Sequence, residues 1–249
     1  MESLVVKSMN IKIELDGKIT HVIGPTNSGK TLLLKKLINV IPNKDIYIDN
    51  KNIKEYDIKY LKNNIVVCLN DEVYNTPTVY DELSYNLSKL GYSTKDIVDR
   101  VKKIVDYFDL EDISKSYIKE LTIDKRILVK ILSYLIIQPS IFGCDNLFPY
   151  LLLEDKIKLY KYIKKKHISF INVISDLDDA LYGDNVLIMN HFKCILSGSN
   201  KVLIDNNSIM PYMGIRLPFI VDLSQNLILY NIIDKVYVDK NRLVKKIWK

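Results

Sequence analysis

A chain of 249 residues with 48% apolar side chains is long and apolar enough to bury a proper core, which excludes a disordered chain. Its net charge of +6 is spread along the sequence without a dense basic block for nucleic acid, and no apolar run reaches the roughly 18 residues that a membrane span needs. Three far-apart cysteines (Cys68, Cys144, Cys194) and an opening without a signal peptide fit buried free thiols in a cytosolic protein.

In chain order, residues 4–8 (LVVKS) and 11–15 (IKIEL) read as short strands, and Asp16-Gly17 is a turn signal ahead of a buried strand at 18–24 (KITHVIG). Residues 24–31 read GPTNSGKT and fit the phosphate-loop pattern G-x-x-x-x-G-K-[ST] at every required position. The loop of Gly24, Pro25, Thr26, Asn27, Ser28 and Gly29 is expected to turn its backbone N–H groups, of which Pro25 has none, inward as an anion nest. Lys30 supplies a mobile positive charge for the outer phosphates, Thr31 offers a hydroxyl to Mg²⁺, and the helix read at 31–41 points its positive end at the loop. Nucleotide binding is the expectation.

Beyond the loop, 46–49 (IYID) and 65–69 (IVVCL) read as strands, with an Asn-Lys-Asn turn and the short helix IKYLKNN between them. From about Thr78 to Ile137 the apolar spacing turns helical. A strand at 140–145 (SIFGCD), a helix at 153–166, a strand at 168–176 (ISFINVISD) and a hairpin of NVLIMN with KCILSG follow. Strands interrupted by one helical block, with a phosphate loop on the first strand–helix unit, indicate an α/β core carrying a helical insertion. His21, His167 and His191 are too scattered for a metal site, Tyr160 and Tyr162 read as packing residues, and Asp178 with Asp179 read as a solvated face.

Together the segments 78–87 (TVYDELSYNL), 119–139 (KELTIDKRILVKILSYLIIQP), 140–146 (SIFGCDN) and 172–189 (NVISDLDDALYGDNVLIM) resemble an ABC-type ATPase. The tail, 213–227 (MGIRLPFIVDLSQNL) and 239–248 (DKNRLVKKIW), is similar to the C-terminal extension of the ATP-binding (A) component of energy-coupling factor (ECF) transporters. The resemblance implies a P-loop NTPase fold of class α/β: a parallel-rich sheet, a helical insertion at about 72–137 within a nucleotide-binding domain at 1–205, and a small helical extension at 206–249. It implies ATP and Mg²⁺ as cofactors, with Thr31 and Asp145 on the metal.

The same resemblance exposes departures. The family's Walker B glutamate is replaced by Asn146, and an amide cannot take a proton from water. The switch histidine is replaced by Ser175, in a frame set by the run 176–180. The signature Leu-Ser-Gly-Gly-Gln reads Leu121-Thr122-Ile123-Asp124-Lys125; the absence of any glycine between Gly91 and Gly143 removes the close backbone approach to a γ-phosphate, and Asp124 would repel it. Leu69 or Asn70 takes the Q-loop position, Leu152 that of the D-loop aspartate, and no aromatic precedes the loop to stack on adenine. The resemblance implies a second ABC ATPase subunit, a transmembrane T component docked beside residues 69–90, and a separate S component that selects substrate. It places the chain on the inner face of the membrane through those partners, without nucleic acid. A non-transport module, in which ATP occupancy regulates a protein partner, remains the alternative.

Overall fold

Ten strands form two sheets among the residues that the computed structural model describes, 1–38, 44–71, 73–175, 177–202 and 210–248. Strands β1 (Ser3–Val6), β2 (Ile11–Glu14), β4 (Ile46–Ile48) and β5 (Lys51–Asn52) make an antiparallel sheet in the order β2-β1-β4-β5. Strands β3 (Ile19–Ile23), β6 (Ile65–Cys68), β7 (Ile141–Asp145), β8 (Ser169–Val173), β9 (Asn185–Asn190) and β10 (Lys193–Ser199) make the second, ordered β10-β9-β3-β8-β7-β6. Every pairing in it is parallel except β9 with β10. The chain is therefore an α/β fold with a parallel-rich sheet.

The Asp16-Gly17 turn separates the sheets instead of joining a hairpin. Both residues take left-handed φ (42° and 66°), yet β2 pairs with β1 and β3 pairs with β8 and β9. Composition explains the switch: β2 alternates buried and exposed residues, as a one-faced sheet requires, whereas β3, β7 and β8 are buried at every position. The turn expected at Asn-Lys-Asn lies one residue earlier, at Asp49 and Asn50, both with positive φ.

Helices α1 (Lys30–Leu37) and α2 (Ile58–Asn64) flank the second sheet; α1 continues no further within the described residues. The helical stretch contains α3 (Val79–Lys89), α4 (Thr94–Phe108) and α5 (Ile123–Leu135). Thr78 and Ser93 cap α3 and α4 by accepting from the N–H groups of Asp81 and Asp96. Leu83, Leu87, Ile104, Phe108, Leu132 and Leu135 fill the space between these helices and join a core that includes Phe142 and Phe170, whose rings stack at 5.4 Å. Helix α6 (Leu153–Lys165) packs on the sheet, while α7 (Phe219–Leu229) and α8 (Lys240–Ile247) share a small cluster of Ile220, Val221, Ile233 and Leu243. The expected boundary between residues 205 and 206 lies outside the described residues. No described helix is long and apolar enough to cross a membrane.

Two readings need correction. Asp179 is buried rather than solvated: a short 3-10 turn over Asp179–Tyr182 directs it at Lys156 of α6, whose ammonium donates to both carboxylate oxygens at 3.0 Å. Cys68 and Cys144 are buried thiols whose pKa values burial raises, but Cys194 is only half-buried because β10 is the sheet's edge strand.

His21, at the middle of β3, is fully buried, and neither ring nitrogen has a hydrogen-bond partner. The ring sits edge-on to Tyr160 at 5.9 Å, and burial drives its pKa down to about 3 against the pull of Asp184. The folded chain thus holds this imidazole neutral, while the unfolded chain binds its proton below about pH 6.5. Stability from this group is complete above that value and falls as pH drops towards 3. Between pH 7 and pH 5 the wild-type chain is expected to lose about 2 kcal/mol more than His21→Leu. Urea titrations of both proteins at the two pH values check this; equal losses would show that His21 is not the group involved.

Candidate functional site

Strands β3, β8 and β7 lie side by side and parallel, so their C-terminal ends open on one edge of the sheet, where ligands bind in α/β folds. Residues 24–29 leave β3 at that edge and α1 begins at Lys30. Two glycines are forced by space. A Cβ on Gly24 would lie 2.2 Å from the Met189 carbonyl oxygen, and one on Gly29 (φ 100°) would lie 2.9 Å from Phe192. The β9–β10 turn therefore walls the loop, and its Phe192 N–H donates to the Ser28 carbonyl at 3.0 Å. Thr26 and Asn27, the latter in left-handed conformation, form the exposed tip, while Ser28 is buried and its N–H donates to the Pro25 carbonyl.

Lys30 folds back over the loop. Its ammonium donates to the Gly24 and Pro25 carbonyls at 2.7 and 2.8 Å and approaches the Ser28 hydroxyl at 3.4 Å. The Thr31 hydroxyl donates to a carboxylate oxygen of Asp145, the last residue of β7, at 3.1 Å. Burial lowers the Lys30 pKa despite Asp145, and burial raises that of Asp145 despite Thr31, Lys35 and Lys30. Both charges are thus less comfortable than in water. An anion beside Lys30 and a cation beside Asp145 and Thr31 would relieve both, and two hard oxygen donors suit Mg²⁺.

Asn146 follows Asp145 with φ 52°, its N–H donating to the Val173 carbonyl at 2.9 Å. Its side-chain oxygen is buried without a partner, and Asn70 reaches its carbonyl at 3.5 Å. Ser175 stands exposed just past β8, while Asp176, which helped set its frame, lies outside the described residues. The structure therefore brings together residues 24–31, Asp145, Asn146 and Ser175 at one sheet edge. No carboxylate stands at position 146 and no imidazole at 175.

The 121–125 stretch forms the start of α5. Thr122 is its N-terminal boundary but makes no capping bond, Ile123 is 63% exposed, and Asp124 sits in the first turn, where a negative charge favours the helix dipole. Lys125 is held at 2.9 Å by Asp155 of α6, whose side chain is 2% exposed. Lys130 is buried inside α5 and binds the carbonyl and carboxylate of Asp71, just past β6, with its charge 5.7 Å from the Tyr74 ring. Glu82 of α3 is also buried; its carboxylate accepts from the Asn75 and Thr76 N–H groups and the Thr76 hydroxyl.

These ties were not read from the sequence, although a signal existed. Lys156 lies on the same helical stripe as Leu159, Tyr160 and Ile163, and Lys130 lies within an almost unbroken apolar run, so both had to be buried with a partner. Lys125→Met, which leaves Asp155 buried without its cation, is expected to cost about 3 kcal/mol, and Lys125→Met with Asp155→Leu to recover most of that. Denaturant midpoints of the three proteins measure it; a double variant no better than the single would show that the pair is not the source.

Comparison with known proteins bears on the same residues. The sequence profile described as ABC transporter matches residues 6–148, more than half of the chain and all of the loop-to-Asn146 arrangement. The energy-coupling factor transporter ATP-binding protein EcfA1 of Mycoplasmopsis synoviae is 26% identical over 252 aligned residues, covering 96% of this chain and 92% of its own length. A solved cbiO1 from Clostridium perfringens, described as part of the ABC transporter complex cbiONQ, superposes with a TM-score of 0.70 at 22% identity, covering 85% of this chain and 96% of its own. A dimeric ATP-binding cassette bound to ADP and Pi superposes at 0.65 with 16% identity, over 79% and 98% of the two chains. The chain belongs to the ABC transporter family, as an ATP-binding subunit with relatives of the ECF type.

Proposed function

We propose that this chain is the ATP-binding subunit of an ECF-type importer, serving as a nucleotide-held clamp rather than as a competent hydrolase. The observation that carries the reading is the contrast at one sheet edge. Lys30, Thr31 and Asp145 stand where they would hold a Mg²⁺-nucleotide, while the neighbouring Asn146 and Ser175 have no group that can draw a proton from water at neutral pH. Residues 24–29 would cradle the phosphates, Lys30 would exchange its loop carbonyls for phosphate oxygens, and Thr31 with Asp145 would hold Mg²⁺.

The related cassette solved with ADP and Pi is dimeric. By analogy, this chain would pair with a second ATPase subunit whose signature caps the nucleotide held here. Its own remade signature, with Ile123 exposed and Lys125 tied to Asp155, would face the partner's nucleotide poorly. Binding energy spent on closing the pair would then drive a transmembrane T component, and an S component would select a micronutrient. The chain would sit on the inner face of the membrane through those partners, without contacting nucleic acid.

Nucleotide binding is tested first. Lys30→Ala is expected to weaken ATP binding by about 1.5–3 kcal/mol, the worth of a charge-assisted contact, in calorimetric titrations with Mg²⁺ present. Unchanged affinity would remove residues 24–31 from the site.

Hydrolysis is tested in the co-purified pair. Asn146→Glu together with Ser175→His is expected to raise phosphate release from this chain's site from near background towards about 1 s⁻¹, the low end for working enzymes. No gain, with assembly of the pair confirmed, would favour a regulatory module in which ATP occupancy alone acts on a protein partner.

A further inference from the structure

The turn that walls the phosphate loop carries a side chain its backbone does not favour. Strands β9 and β10 pair from Asn190 to Lys193, which leaves His191 and Phe192 as a two-residue hairpin turn. Both take positive φ, 45° and 62°, where Asn-Gly is the usual solution and a bulky side chain is seldom found. Phe192 is nevertheless 53% exposed, so packing accounts for only part of its ring. A strained backbone bearing a half-open aromatic ring beside a binding loop points to a use for that ring.

The turn is fixed against the loop at several points. The Phe192 N–H donates to the Ser28 carbonyl at 3.0 Å, and the Phe192 Cδ1 atom would lie 2.9 Å from a Cβ on Gly29. The Met9 methyl would lie 3.3 Å from that same Cβ, and Met9 is 2% exposed. The Asn10 amide reaches the Cys194 carbonyl at 3.5 Å, which ties β10 to the 3-10 turn Lys7–Met9. Gly29 gives the Phe192 ring a floor, Met9 closes in on the same point, and the uncovered part of the ring is open to solvent at the start of α1. No Phe, Tyr or Trp occurs in the chain before Tyr47, so no such ring ahead of the loop serves a nucleobase.

Resting on the reading that residues 24–31 hold a nucleotide, we infer that Phe192 is the base platform of that site, its exposed ring stacking on the purine whose phosphates the loop grips. Phenylalanine offers a flat apolar face without hydrogen-bonding groups, so the contact rewards a large aromatic base and is tolerant of its edges. The hairpin then serves the site twice, with its backbone as a wall for the loop and with its side chain as a surface for the base. Glycine at 192 would relax the turn and remove that surface. The bonds from Phe192 to Ser28 and from Asn10 to Cys194 hold the ring in place before the ligand arrives, which lowers the ordering cost of binding.

Calorimetric titrations of the full chain with Mg²⁺ present compare ATP with inorganic tripolyphosphate, which has the phosphates and no base. Phe192→Ala, and Phe192→Leu, which keeps apolar bulk without an aromatic face, are expected to weaken ATP binding about tenfold and leave tripolyphosphate binding unchanged. Phe192→Tyr is expected to bind both as the wild type does. A direct readout comes from Phe192→Trp combined with Trp248→Phe, since Trp248 is the one tryptophan of the chain. ATP is expected to quench the emission of the new indole, and tripolyphosphate to leave it unchanged. If the wild type binds no ATP, the nucleotide reading fails and this inference fails with it. If the wild type binds ATP but the Ala and Leu variants bind it equally well, or lose ATP and tripolyphosphate in equal measure, the loop site stands and the platform falls. Indole emission indifferent to bound ATP overturns the platform in the same way.

Discussion

An ammonium and a carboxylate, each stripped of part of its water and neither bonded to the other, set the character of this molecule. Burial lowers the pKa of Lys30, whose ammonium donates to two loop carbonyls, and raises that of Asp145, whose carboxylate accepts from the Thr31 hydroxyl. A protein that needed only stability would have joined them or replaced both with apolar residues. Holding them apart at the open edge of a parallel sheet leaves a space whose field favours a negative group on one side and a positive one on the other. That field, rather than any single contact, would make the site complementary to a metal–phosphate ligand.

The remaining buried charges are arranged differently. Asp155 and Lys156 are consecutive in α6, so they leave the helix in different directions: Asp155 meets Lys125 at the start of α5, and Lys156 meets Asp179 beyond β8. One helix thus anchors the helical stretch and the segment that follows Ser175. Lys130 and Glu82 do the same for Asp71 and for residues 75–76, one through Asp71 and the other through Asn75 and Thr76. Among the positions that differ from the pattern the resemblance implies, Lys125 is held by such a pair, whereas Ile123 and Ser175 stand exposed.

Much of this was legible in the residues. The phosphate loop followed from Gly24, Gly29, Lys30 and Thr31, because few other backbones need two glycines ahead of a lysine at a strand–helix junction. The strands of the second sheet followed from their unbroken apolar runs. The split into two sheets was hidden, since periodicity tells which faces of a strand are covered and not which strand lies beside it. Asp179 was misjudged because a lone acidic pair looks solvated until the helix bearing its cation is placed. The walling of Gly29 by Phe192 also had no local sign, for the two-residue turn at His191 and Phe192 takes φ values of 45° and 62° without the asparagine or glycine that such turns favour.

The tie between Lys125 and Asp155 bears on the history of the chain as well as on its stability. A glutamine at 125 would leave the buried Asp155 carboxylate without its cation, and a change at 155 alone would leave the lysine without its partner. A single substitution at 125 towards the signature residue would thus cost stability on its own. Glycines at 123 and 124 would add to the burden by loosening the first turn of α5. Reversion thus requires several coordinated substitutions, whereas further drift at the exposed Ile123 costs little. Under the proposed function, the Lys125–Asp155 pair would make a return at position 125 costly and would keep the chain dependent on a subunit that supplies a signature.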